Sequence, residues 1–92
     1  MEDTRLYEQL YEILASLKNK EEAEAFMKDL CTYNELDYMA QRIEAAHLLL
    51  ENKTYNEITE AVDISTATLS RVNRCIKHSD GYNTVLKRFF EK

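Results

Sequence analysis

One stretch in the second half of the chain carries side chains suited to contacting nucleic acid. Residues 64–71 read ISTATLSR, and the small side chains in this stretch are Thr66, Ala67, Thr68 and Ser70. Small side chains let a helix lie deep in the major groove of DNA, where base edges can be read. The basic residues that follow are Arg71, Arg74 and Lys77, and residues 64–79 contain no acid. We expect the small residues to approach bases and the basic ones to attract phosphates.

The apolar residues around this stretch predict two short helices that meet at a corner. Ile58 and Val62 lie one helical turn apart and share a face, as do Leu69 and Val72 further on. Ile64 falls between the two pairs, where it would fill the angle between the helices. This spacing indicates a helix-turn-helix over residues 54–78.

Polar residues at the start of each helix support the same reading. Thr54 and Glu57 have the spacing of a capping box, and Ser65 can cap the second helix. Residues at the start of the first helix complete the predicted DNA-binding set, and they are Lys53, Tyr55 and Asn56.

A plain structural corner in an all-α domain would show the same apolar pattern. Asp63 occupies the turn, where a left-handed backbone would favour glycine, although aspartate tolerates that conformation better than most residues. The two readings differ in whether the outer face of the second helix contacts DNA.

Composition predicts an all-α fold. The 92 residues are enough for one domain, proline is absent and glycine occurs once, so β-hairpins and long irregular loops are unexpected. We predict six helices in a single domain. Residues 1–31 form two N-terminal dimerising helices (the first over about 2–18), 32–53 a long core helix, 54–78 the helix-turn-helix, and 79–92 a C-terminal helix. The predicted caps of the other helices are Asn19 with Glu22, Thr32 with Glu35, and Ser79 or Asp80.

Charge is distributed unevenly along the chain. The net charge is −5; residues 1–51 carry 12 acids and five bases, whereas residues 52–92 carry five acids and seven bases. The positive charge therefore gathers on the predicted recognition helix and just beyond it. This asymmetry is typical of a domain that approaches phosphates with one end, although a solvated acidic face would also produce it.

The first predicted helix has an apolar stripe that so short a chain can scarcely cover. The stripe consists of Leu6, Leu10, Ile13, Leu14 and Leu17. Burial against a second copy of the chain is the economical arrangement, so we expect a two-fold homodimer.

Enzymatic and metal-binding patterns are missing. His47 and His78 lie on different predicted helices, and Cys31 and Cys75 are far apart in sequence. Cys75 and His78 alone offer too few ligands for a metal. We expect no catalytic residue, no metal and no cofactor. No run of about 18 apolar residues and no signal peptide occurs, so we expect a cytoplasmic protein that does not enter membranes.

From about residue 30 to residue 90 the chain resembles the tryptophan repressor family, and in particular its YerC/YecD-type branch. The segment TYNELDYMAQRIEAAHLLLENK resembles the family's long helix, and TYNEITEAV, ISTATLSR and DGYNTVLKRFF resemble the elements that follow. The first 30 residues resemble the family only in being helical. The resemblance implies an intertwined all-α dimer that binds double-stranded operator DNA.

The resemblance also implies a ligand pocket. In the repressor proper, two arginines sandwich the indole of bound tryptophan, and they match Arg42 and Arg71 in this chain. The pocket glycine is replaced by Val72, and the serine that helps to hold the ligand's amino group is replaced by Cys75, a poor acceptor. We therefore expect Val72 to pack against Ile58 or Leu69 and to close the cavity, which makes tryptophan an unexpected ligand. The two arginines would then pair with acids such as Glu44 or Glu57.

Two functional hypotheses follow. The first is a dimeric, sequence-specific DNA-binding transcriptional regulator that does not respond to tryptophan. The second is a helical dimeric module without DNA-binding activity that binds a protein partner through its acidic face. The small polar first turn of the recognition helix and the basic residues that follow it favour the first. The acidic first half of the chain and its shortage of basic residues favour the second.

Overall fold

A computed structural model of the chain describes residues 3–91, and every regular element among them is an α-helix. The helices are α1 (Thr4–Ala15), α2 (Lys20–Leu30), α3 (Tyr33–Leu50), α4 (Tyr55–Ala61), α5 (Thr66–His78) and α6 (Gly81–Phe90). The predicted all-α fold with six helices is confirmed. The first helix is shorter than predicted, and Glu2, its predicted start, lies outside the described residues. None of the described helices is long and apolar enough to span a bilayer.

Side-chain caps begin most of the helices as predicted. Thr32 and Glu35 form a reciprocal capping box before α3: the Thr32 N–H donates to Glu35 Oε1 at 2.8 Å, and the Glu35 N–H donates to Thr32 Oγ1 at 3.1 Å. Asn19 accepts from the Glu22 N–H at 2.8 Å before α2. These bonds satisfy N–H groups that have no partner within the helix.

Two of the predicted caps are different in the structure. The Glu22 carboxylate accepts from the N–H of Lys18, one residue earlier than the capping box requires. Asp80 stands at the N-cap of α6, but its side chain makes no capping hydrogen bond, and Ser79 instead ends α5. The prediction of a side-chain cap on α6 is therefore wrong.

The long helix α3 ends in a Schellman motif. The Lys53 N–H donates to the Leu48 carbonyl and the Asn52 N–H to the Leu49 carbonyl, both at 3.0 Å. Asn52 has a φ of 67°, the left-handed conformation that this motif requires and that asparagine tolerates better than most residues. The motif stops α3 and turns the chain into α4 within a few residues.

The corner between α4 and α5 contains no left-handed residue. The Ile64 N–H donates to the Val62 carbonyl at 2.9 Å, a γ-turn centred on Asp63. Asn52 is the one non-glycine residue with positive φ in the described part of the chain. The expectation that Asp63 must adopt a glycine-like conformation is therefore wrong, and the aspartate is no obstacle to the corner.

The described residues divide into two units between Leu36 and Asp37. The first contains α1, α2 and the start of α3, and neither α1 nor α2 has a buried residue. Leu30 at the end of α2 is exposed. The second contains the rest of α3 with α4, α5 and α6, and all the buried apolar side chains of the described chain belong to it.

Two small clusters form the core of the second unit. Ala45 on α3 packs with Ile58, Val62 and Leu69, and the half-buried Ile64 lies against them as predicted. The neighbouring residue, Ala46, packs with Val72 and Leu86. Each cluster thus joins α3 to α5, one with α4 and the other with α6.

The second cluster corrects the expected position of Val72. This side chain is 1 % exposed and groups with Ala46 of α3 and Leu86 of α6, rather than with Ile58 or Leu69. The prediction that Val72 is enclosed is confirmed, but the neighbours named for it were wrong.

A side-chain amide adds a polar connection between α5 and α6. Asn83 Nδ2 donates to the Ile76 carbonyl at 2.7 Å and to the Ser79 carbonyl at 3.3 Å. These acceptors belong to the end of α5, where carbonyl groups have no partner within the helix. Leu86 and Asn83 together therefore hold α6 against the C-terminal half of α5.

We predict that Val72→Ala destabilises the protein by about 2 kcal/mol, because it removes two buried carbons and leaves a cavity. Val85→Ala on α6 is the matched control, since Val85 is 50 % exposed and should change stability far less. Urea unfolding at one fixed protein concentration measures both variants. Equal losses for the two valines would contradict the assigned core.

Candidate nucleic-acid interface

The α4–α5 unit is built from local hydrogen bonds at both helix starts. Thr54 and Glu57 form the predicted capping box of α4, with bonds of 2.8 and 3.1 Å. At the start of α5, Ser65 Oγ accepts from the Thr68 N–H at 3.1 Å and donates to Thr68 Oγ1 at 3.0 Å. Both helix starts are therefore defined by side chains within one turn.

The capping box at α4 makes the stability of the folded protein depend on pH. The Thr54 backbone N–H, and after it the Thr54 hydroxyl, lower the pKa of Glu57 below its ordinary value. A carboxyl group with a lowered pKa in the folded state stabilises the fold above its unfolded pKa. That contribution is lost as the pH falls through the lowered value.

The exposed face of α5 carries small side chains at the start of the helix and basic side chains further along it. Ala67, Arg71, Arg74 and His78 succeed one another at intervals of four, three and four residues, so they lie along one side of the helix. All four are exposed, whereas Leu69 and Val72 on the opposite side are buried. Helical spacing from Arg74 could have identified His78 as a member of this face, but the sequence analysis did not include it.

The basic side chains of this face are not neutralised within the chain. In the described residues no carboxylate lies within ion-pair distance of Arg71, Arg74 or Lys77. Thr66 and Ser70 are also exposed, at the flank and beside the basic side chains. The face therefore combines unpaired positive charge with small side chains.

The other predicted DNA-binding residues lie at or just before the start of α4. Lys53, Tyr55 and Asn56 are exposed, and the Asn56 carbonyl accepts the Thr59 hydroxyl at 3.2 Å. They belong to the same helix-turn-helix as α5.

Thr68 occupies a different position from the other small residues. It is half-buried and lines a cleft of about 590 Å³ between α3 and the start of α5. The residues around the cleft are Tyr38, Gln41, Arg42, Asp63, Ile64, Ser65, Thr68 and Arg71. The cleft therefore brings together Arg42 and Arg71, the two arginines that match the ligand-binding pair of the resembled repressor.

The cleft corrects two expectations about these arginines. Val72 was expected to close the space, yet an open cleft remains and Val72 does not line it; nor does the half-buried Cys75. Neither arginine pairs with the expected acids, because Glu44 approaches His47 and Glu57 belongs to the capping box. Arg42 Nε instead donates to the Tyr38 carbonyl at 3.4 Å.

Metal-binding geometry is not found in the part of the chain that the structure describes. No three histidine, cysteine, aspartate or glutamate side chains there converge on a common point, and both cysteines are free thiols.

Comparison with known proteins identifies the family. The chain matches the family model described as "Trp repressor protein" over residues 5–90. The chain belongs to the Trp repressor family. The match includes α1 and α2, which local sequence strings had not linked to the family.

Relatives within the family narrow the assignment to its YerC-type branch. The chain is 45 % identical over 85 residues to the uncharacterized protein YerC of Bacillus subtilis, covering 91 % of this chain and 82 % of YerC. A TrpR-like protein from Eubacterium eligens has a similar structure, with a TM-score of 0.87, 44 % identity, and coverage of 92 % of this chain and 89 % of that one. The structure of a proposed Trp repressor from Staphylococcus aureus is also similar, with a TM-score of 0.88 and 34 % identity, covering 99 % of this chain and 91 % of that one.

Proposed function

We propose that this member of the Trp repressor family is a dimeric, sequence-specific DNA-binding transcriptional regulator. The exposed face of α5 is the observation that carries the proposal. This face presents small side chains at the start of the helix and unpaired arginines after them. The opposite side of α5 packs into the core through the buried Leu69 and Val72. A helix of this kind can enter the major groove while basic side chains reach the phosphates.

We assign separate roles to the small side chains at the start of α5 and to the basic side chains after them. Ala67 and Thr68 discriminate between sequences, since short side chains at the start of a recognition helix can approach base edges. Thr68 already accepts a hydrogen bond from Ser65, which holds its hydroxyl in place. Arg74 and Lys77 attract phosphates, and Arg71 does so from the edge of the cleft.

Exposed apolar surface supports a dimer. Leu6, Tyr11 and Ile13 contribute to it, with 56, 63 and 38 % of their surfaces exposed. A second copy on the α1 stripe and on α3 would cover them.

The cleft beside α5 supports independence from tryptophan. Ile64 is the single aliphatic side chain in its lining, and most of the rest are polar or charged. Pockets that hold aromatic ligands are lined mainly by apolar side chains. Few aliphatic side chains would therefore pack against an indole here, and Cys75, which stands where the resembled repressor has a serine, supplies no strong acceptor.

Selection of fragments from genomic DNA by the purified protein tests the proposal as a whole. Enrichment of a common sequence with two related half-sites is the expected result. If no sequence were enriched, the proposal would fail in favour of a helical protein-interaction module that uses the acidic first half of the chain.

We predict that the protein sediments as a dimer at micromolar concentration, with roughly twice the 10.8 kDa mass of one chain. The reason is the uncovered apolar stripe of α1. Leu6→Glu and Leu14→Glu together should shift the species towards monomer, and Glu8→Gln on the same helix is the control. A folded wild-type monomer would overturn the dimer.

We predict that Arg74→Ala weakens binding to all DNA sequences alike and lowers the slope of log affinity against log salt by about one unit. Lys18→Ala is the matched control, because it removes an exposed positive charge outside the helix-turn-helix. A change in the preferred sequence would show that Arg74 reads bases instead.

We predict that calorimetric titration with millimolar tryptophan shows no binding and that DNA affinity is unchanged when tryptophan is added. The physical reasons are that Ile64 is the single aliphatic side chain around the cleft and that Cys75 is a poor acceptor. Both measurements use the unmodified protein and a DNA fragment recovered by selection. Tight tryptophan binding would refute this part of the proposal while leaving DNA binding intact.

A further inference from the structure

Arg42 on α3 is a basic side chain to which the proposed DNA contacts give no role. It is half-buried in the wall of the cleft beside the start of α5. Its Nε donates to the Tyr38 carbonyl at 3.4 Å, one turn earlier on the same helix. Among residues 3–91 its other N–H groups make no hydrogen bond, and no carboxylate lies within ion-pair distance of it. The guanidinium is therefore held at its inner nitrogen and presents its outer N–H groups to a further partner.

Arg71 lines the same cleft from α5 and also belongs to the exposed face of that helix. It follows Ala67 by four residues and precedes Arg74 by three, so these three side chains lie on one side of α5. Because Arg71 takes part in both surfaces, the cleft opens directly beside the exposed face. A DNA backbone that is attracted to Arg71 would lie at the mouth of the cleft.

The other polar side chains around the cleft favour an anion. Ser65 and Thr68 from the start of α5, with Tyr38 and Gln41 from α3, bring hydroxyl and amide groups that can donate hydrogen bonds. Asp63 is the single acid around the cleft, and in the described part of the chain it pairs with neither arginine. Two guanidinium groups thus face one carboxylate, in a chain whose net charge is −5. The cleft is a positively charged site in an acidic protein.

We propose that the cleft is a phosphate-binding site in which Arg42 and Arg71 together hold one phosphate of the DNA backbone. The inference rests on the proposed function, because it requires α5 to face DNA. A guanidinium can donate two parallel hydrogen bonds to phosphate oxygens, so arginine suits this site better than lysine. The proposal extends the DNA interface to α3, outside the helix-turn-helix.

The backbone of DNA suits this cleft better than a free anion does. Sites for small ligands enclose most of the ligand's surface. Arg71 is exposed, and the cleft of about 590 Å³ continues into the exposed face of α5. A DNA strand would cover the open side of the cleft itself, whereas a free phosphate would remain in contact with water.

A phosphate held between two helices would fix the position of α5 on DNA. Arg42 is carried by α3 and Arg71 by α5, so both helices would contact the same strand. Phosphate contacts set the orientation of a protein on the duplex, and contacts to bases supply specificity. Arg42 is therefore a positioning residue that acts on all DNA sequences alike.

The test uses the full-length protein and a DNA fragment recovered by selection, with one uncharged methylphosphonate linkage placed at each backbone position in turn. At the position held in the cleft, the affinity of the wild-type protein should fall by about tenfold, because a charge-assisted contact is lost. Arg42→Gln should bind unmodified DNA about tenfold more weakly and lower the salt slope by about one unit. Having lost the contact already, this variant should be much less sensitive to the methylphosphonate at that one position.

Three further variants separate the phosphate contact from general effects of charge and folding. Lys18→Gln removes an exposed positive charge outside the helix-turn-helix and should retain the wild-type response to every methylphosphonate. Arg42→Lys should restore the salt slope but only part of the affinity, because lysine keeps the charge without the paired geometry. Urea unfolding checks that Arg42→Gln is folded, and Arg71→Gln should lose sensitivity at the same position, so it preserves the comparison if Arg42→Gln does not fold.

Wild-type affinity for unmodified DNA in Arg42→Gln would overturn the phosphate site and leave the proposed function intact. Full sensitivity of Arg42→Gln to every methylphosphonate would overturn the site as well. Inorganic phosphate is titrated without DNA in parallel. Saturable phosphate binding that Arg42→Gln abolishes, with unchanged DNA affinity, would assign the cleft to a free anion instead. A wild-type protein that bound no DNA sequence would refute the proposed function and the site together.

Discussion

The orientation of α5 depends on two adjacent alanines on α3. Ala45 and Ala46 are both completely buried, and consecutive helical residues point about 100° apart. Ala45 therefore contacts the cluster with Ile58 and Leu69, and Ala46 contacts the cluster with Val72 and Leu86. Alanine has no side chain beyond Cβ, so larger residues at these two positions would require the other side chains of the clusters to shift.

This core is small, and that explains how much of the molecule's surface is left uncovered. The buried apolar side chains in the described residues all support the helix-turn-helix and α6, whereas α1 and α2 bury none. A short chain cannot bury a large fraction of its apolar surface by itself. The chain's own core thus supports α5, and the apolar side chains of α1 remain exposed within the single chain.

Val72 and the cleft lie on different sides of α5. Val72 lies beneath the exposed basic face as part of the core, and the cleft with Arg42 and Arg71 opens on another side of the helix. A buried valine stiffened at χ1 can hold α5 without a ligand. The helix-turn-helix is therefore held by the chain's own core, while Ile64 is the single aliphatic side chain around the cleft.

Helices and their caps could be predicted from sequence, because they depend on residues within one turn of each other. The boxes Thr32–Glu35 and Thr54–Glu57, the Ser65 cap and the burial of Ile58, Leu69 and Val72 all follow from spacings of three or four residues. The exposed face of α5 could also be identified from the sequence. Helical periodicity shows which residues share one side of the helix, and none of the residues in this stretch is acidic.

Contacts between helices were decided by tertiary structure. The γ-turn at Asp63, the neighbours of Val72, the open cleft and the stack of His47 on Phe90 each depend on where separate helices cross. Helical periodicity predicts that a residue faces inward, but it does not say which helix the residue will meet. By itself the sequence determined the six helices, the side-chain caps of α2 to α5 and the small and basic residues along the exposed face of α5. Only packing against α3 decided the direction of that face and brought Arg42 and Arg71 together at one cleft.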